Sequence, residues 1–78
     1  MSNKITAVEQ EILNDVSDTL RTIKELRGLS QAEISEITGI NQSYISQLLN
    51  KKYNGVLSVR TAFLIAEKMD MKINIEIK

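Results

Sequence analysis

The stretch 30–50, SQAEISEITGINQSYISQLLN, constrains this chain more than any other, because it reads as two short helices joined by a tight turn. Ser30 followed by Glu33 has capping-box spacing, in which each side chain satisfies a backbone N–H left free at a helix start. Ile34 and Ile37 give that helix an apolar edge. Gly39 can take the left-handed conformation just past a helix end at little cost, and Asn41 can cap the next helix. In the second helix, over about 42–50, Ile45, Leu48 and Leu49 fall on one side at helical spacing. Ser43, Ser46, Gln47 and Asn50 fall on the other, with Gln42 near the start. That outward face is polar, short and uncharged. Amide and hydroxyl side chains suit the edges of DNA bases, since Gln or Asn can bond adenine through two hydrogen bonds. A helix exposed only to water more usually carries Glu and Lys.

The order Leu29-Ser30-Gln31, Ser35, Gly39-Ile40, Gln42-Ser43-Tyr44-Ile45-Ser46 and Leu49-Asn50 resembles the helix-turn-helix of the lambda-repressor-like (XRE-type) DNA-binding family. With its flanking helices the resemblance covers about residues 17–69. It implies a mainly α fold, a bundle of four to five helices in which the second helix of the motif enters the major groove. Carried over residue by residue, Gln42, Ser43, Ser46 and Gln47 would face bases. Gln31 would contact a phosphate or brace Gln42, and Asn41, Tyr44 and Asn50 would reach the backbone. Partial burial is an equal account of Tyr44, which lies on the flank of its helix.

The family usually places glycine after the position of Asn50, where this chain has Lys51, and the loop 51–55 is about two residues longer. Asn50 or Asn54 is then expected to supply the left-handed residue. Lys51 and Lys52 are candidates for phosphate contact, with a solvated surface as the alternative. Tyr53 would reach a phosphate or cover the core.

Composition narrows the rest. The chain has 78 residues, 42% apolar and 26% charged, enough for one small domain with a modest core whose size favours oligomerisation. Cysteine and histidine are both absent, which removes disulfides, the commonest zinc ligands, the commonest catalytic base and a thiolate nucleophile. An enzyme is therefore not expected, nor a metal or cofactor. Apolar runs are too short for a membrane span or signal peptide, so a cytoplasmic protein is expected. Net charge is zero, which argues against nucleic acid. The distribution partly answers this: residues 37–66 hold no acid but contain Lys51, Lys52 and Arg60, whereas Glu9, Glu11, Asp15 and Asp18 gather near the N-terminus.

Before the motif, Thr6 and Glu9 repeat the capping-box spacing. Val8, Ile12, Val16, Leu20, Ile23 and Leu26 then recur every three or four residues, which predicts one helix over about 7–27 ended by Gly28. Residues 1–16 form an extension continuous with the first helix of the domain 17–70. They serve as core scaffolding or as a partner surface, because adjacent Ile12 and Leu13 widen the apolar stripe. After the loop, Ser58 can cap a helix whose Val59, Ala62, Phe63, Ile65, Ala66 and Met69 are expected in the core, while Arg60 is either solvated or near the DNA backbone. The tail 71–78 alternates strictly, with Ile73, Ile75 and Ile77 on one side, which is a strand pattern. A lone strand leaves its backbone groups unpaired, so this one is expected to pair with an identical chain across a dimer, with strand addition to another protein and a frayed or helical tail as the alternatives.

The expectation from sequence is thus a sequence-specific regulator that binds double-stranded DNA as a homodimer and represses from a palindromic operator, two copies of the reading helix serving half-sites about one helical turn apart. The resemblance leaves open a phage Cro-like or repressor protein, a restriction-modification controller, and an antitoxin that binds a toxin and represses its own operon. A helical protein-interaction module without DNA is the reading from a different class, and zero net charge is its support.

Overall fold

The computed structural model describes residues 7–53 and 59–71, and the statements below concern those residues. They form four α-helices, α1 (Ala7–Arg27), α2 (Gln31–Thr38), α3 (Gln42–Leu49) and α4 (Val59–Lys68), and no strand. The alternating tail with Ile73, Ile75 and Ile77, the Thr6 and Ser58 caps, and the turn at Asn54 lie outside the described residues.

Among the described residues, the starts of α2 and α3 and the C-terminal ends of the four helices follow from local chemistry. Ser30 and Glu33 close the capping box of α2, with Glu33 N–H donating to Ser30 Oγ at 3.1 Å and Ser30 N–H donating to Glu33 Oε1 at 2.8 Å. Asn41 caps α3, its Oδ1 accepting from Ser43 N–H at 2.7 Å. At the other ends the chain turns left-handed: Gly28 (φ 63), Gly39 (φ 72), Lys51 (φ 55) and Asp70 (φ 56). After α1, α3 and α4 a backbone N–H reaches five residues back, Leu29 to Lys24, Lys52 to Gln47 and Met71 to Ala66, which satisfies carbonyls the helix leaves free. A Cβ at Gly39 would touch nothing within 4 Å, so glycine serves there for its backbone freedom rather than for space.

α1 packs on α3 and α4, and α2 on α3 and α4. Leu13, Val16 and Leu20 of α1, Ile34 of α2, Ile45 and Leu48 of α3, and Ala62 and Ile65 of α4 are fully buried together. Ile12 and Leu13, adjacent on α1, are both taken up by this core. Residues 7–16 therefore act at least as scaffolding for their own chain.

Several apolar residues expected inside are exposed. In α4 the buried face is Ala62, Ile65 and Ala66, continued by Met69 just past its end, at spacings of three and four, which turns Phe63 and its neighbour Leu64 to the side, 43% and 44% exposed. Val8 and Leu26 stand on one flank of α1, off the line of Leu13, Val16 and Leu20, and Leu26 is 81% exposed. Ile37 on α2 is also exposed, leaving Ile34 to supply that helix's apolar contact.

Candidate nucleic-acid interface

α3 has two sides of sharply different chemistry. Ile45, Leu48 and Leu49 hold it against the core, so the opposite side must face outward. Gln42, Ser43 and Asn50 are exposed, whereas Ser46 and Gln47 are half-buried, so the first turn of the helix is its most open part. Asn50 Nδ2 donates a long 3.4 Å hydrogen bond to Ser46 Oγ, tying those two side chains together along the face. Asn41 spends its side-chain oxygen on the cap. Gln31 opens α2 and is half-buried.

The turn between α2 and α3 is held by side chains of α2. Ser35 Oγ donates to Ile40 O at 2.6 Å, and Thr38 Oγ1 donates to Ile34 O at 2.8 Å while accepting from Ile40 N–H at 3.1 Å. A small hydroxyl residue, a left-handed glycine and an apolar residue at these offsets are what a short turn between two packed helices requires.

Beyond α3 the chain is gripped by α1. Arg21 Nη2 donates to Leu49 O, Lys51 Nζ lies 2.8 Å from Asp18 Oδ1, and Tyr53 Oη donates to Asn14 Oδ1 at 2.7 Å. Asn14, Asp18 and Arg21 are spaced four and three apart, one polar row along α1 beside its apolar stripe. Sequence reading missed this row. The signal was its spacing, which sets three polar residues in line on a helix whose neighbouring line is apolar. Tyr53 thus covers the core with its ring and spends its hydroxyl on α1, rather than turning outward. Lys51 itself takes the left-handed conformation expected of Asn50 or Asn54, and Asn50 stays at φ −90. Lys52 is exposed, as is Arg60 on α4.

Tyr44 packs against the core from the flank of α3, and burial pushes its hydroxyl up to about 12, with the nearby Tyr53 adding to the shift. It stays protonated at neutral pH. Burial raises Tyr53 as well. Among the described residues no group of three or more acidic side chains could hold a metal ion, and no helix is long and apolar enough to cross a membrane.

Fold and surface together define a small helical module in which α3, joined to α2 by a tight turn, presents an uncharged polar face. The chain belongs to the family described as Hepatocyte nuclear factor 1 (HNF-1), N terminus, whose family model matches residues 2–64. No curated protein and no solved structure matches it. This membership corrects the lambda-repressor-like (XRE-type) family expected from the pattern at 29–50. The physical reason lies in the turn: Ser35, Thr38, Gly39 and Ile40 meet the needs of the α2–α3 corner, so their spacing reports a tight helix pair and not one family. The Cro-like and antitoxin readings rested on that resemblance and fall with it. A cytoplasmic location gains nothing from a family named for a nuclear factor.

Proposed function

We propose that this chain is a module of transcription regulation that works as a homodimer and meets double-stranded DNA through the outward side of α3. The observation that carries the DNA contact is the uncharged row on that helix, with Gln42 and Ser43 open at its first turn, Ser46 and Gln47 behind them and Asn50 at its end, followed by the cationic Lys51 and Lys52. Amide and hydroxyl groups read base edges, and the two lysines meet phosphates. Gln31, Asn41 and Tyr44 are the further backbone contacts in this reading. A family named for a nuclear factor supports a regulatory role. Pairing by two-fold symmetry gives a palindromic target, and Ile73, Ile75 and Ile77 are the residues we assign to the contact between copies.

A second reading, a helical protein-interaction module without DNA, is favoured by a specific observation. Val8, Leu26, Ile37, Phe63 and Leu64 are all exposed on a chain of zero net charge. Selection from a random pool of duplex DNA with the purified protein, at two salt concentrations, separates the two. Recovery of a palindrome supports DNA reading by a dimer. No enrichment at the lower salt, together with a concentration-dependent dimer in sedimentation, leaves protein pairing alone. Within the DNA reading, Gln42→Ala lowers affinity by about 1–3 kcal/mol and relaxes one base position. Unchanged affinity and preference would remove Gln42 from the reading set.

A further inference from the structure

The row on α1 does more than hold a loop. Of its contacts, one involves a lysine at the end of the proposed reading helix. Lys51 Nζ sits 2.8 Å from Asp18 Oδ1, with the two side chains 44% and 64% exposed. A carboxylate at this distance offers the lysine what a phosphate oxygen offers, a negative oxygen at hydrogen-bond range. The pair is open to water, so its net strength is small and its exchange for another anion is inexpensive. On either side the backbone is fixed: Arg21 holds Leu49 O before Lys51, and Tyr53 is tied to Asn14 after it. Lys51 therefore stays beside Asp18 in the free protein while its side chain remains within reach of solvent.

We propose that Asp18 is an internal competitor that occupies Lys51 and so weakens contact of this chain with the DNA backbone. This rests on the reading of α3 as a DNA contact, and adds regulation of that same surface by α1. Acidic side chains on the same stretch of α1, Glu11 and Asp15, reinforce the competitor's sign, and Asp15 keeps one buried carboxylate oxygen without a hydrogen-bond partner. Bound to DNA, Lys51 exchanges Asp18 for a phosphate. The cost is shared by every sequence, because neither partner touches a base.

The test uses the full chain, a duplex of random sequence, and the variants Asp18→Asn, Lys51→Ala and the two combined, each checked for helical content by circular dichroism. With Asp18→Asn, affinity rises by up to about fivefold in 0.1 M salt, the most that an exposed ion pair withholds, and the slope of log affinity against log salt stays at the wild-type value, because Lys51 meets the same phosphate in both proteins. In the Lys51→Ala background the same substitution gives no such gain. Wild-type binding to DNA with no change in Asp18→Asn overturns the competition and leaves the DNA reading standing. So does a gain that persists without Lys51, since that is a general effect of removing a negative charge. Absence of binding by wild type and Asp18→Asn alike, at the lowest salt, overturns the DNA reading and the competition with it.

Discussion

Lys51 carries two burdens that sequence reading kept apart. Its side chain bears the charge next to α3, and its backbone, at φ 55, turns the chain out of that helix. A left-handed conformation costs a residue with a Cβ roughly 1–2 kcal/mol, and glycine escapes most of that while being costlier to order from the unfolded chain. Lys51→Gly also loses an exposed ion pair, which contributes little. The balance is a gain of roughly 0.5 kcal/mol in stability, read in urea unfolding, alongside weaker binding to DNA. A marked loss of stability would mean that the lysine side chain, not the backbone, holds the corner. Tyr44 gives a second prediction at this scale. Its folded pKa, about 12, lies above the ordinary 10, so the folded state keeps its proton where the unfolded state loses it. Its contribution to stability is full below pH 10 and is lost as pH rises through about 12. Thermal midpoints measured from pH 9 to 12 should therefore fall less steeply for Tyr44→Phe than for wild type. Parallel curves would place Tyr44 in water.

At the scale of elements, what was legible is what local chemistry writes. The capping box at Ser30 and Glu33, the cap at Asn41, and the stops at Gly28 and Gly39 each act within a few residues, and α1 runs over Ala7–Arg27 where its apolar spacing placed it. Phe63 was misplaced because hydrophobicity says that a residue gains by burial, while only the packing of α4 on α1 and α2 decides which side of the helix is covered. The grip of Asn14, Asp18 and Arg21 on the end of α3 was illegible for the same reason: each partner lies 28 or more residues away along the chain. The polar side of α3 was readable because its own three core residues define it. The strength of a local signal can be tested directly. Ser30→Ala removes the oxygen that accepts from Glu33 N–H, and costs about 1 kcal/mol in chemical unfolding. A cost near zero would mean that packing of Ile34 alone sets the start of α2.

For the whole molecule the charge balance matters most. Ten cationic and ten anionic residues leave no net attraction to draw the chain onto DNA, so affinity must come from a few placed cations and from pairing. One copy offers Lys51 and Lys52 at the end of α3, which together permit a salt slope of at most about 1.8, at about 0.9 for each phosphate. Two copies on one palindrome permit at most about 3.6 by the same counting. The slope therefore reports how many copies act. Binding to a palindromic duplex recovered by selection should show a slope steeper than about 1.8, and binding to an isolated half-site a slope at or below it. Sedimentation with each duplex checks the stoichiometry independently. A slope at or below that limit on the palindrome, with one copy bound, would mean that the chain meets DNA alone and that the exposed Phe63, Leu64 and Leu26 await a different partner. A slope near zero would remove phosphate contact altogether, because no placement of Lys51 and Lys52 against a DNA backbone avoids releasing counterions.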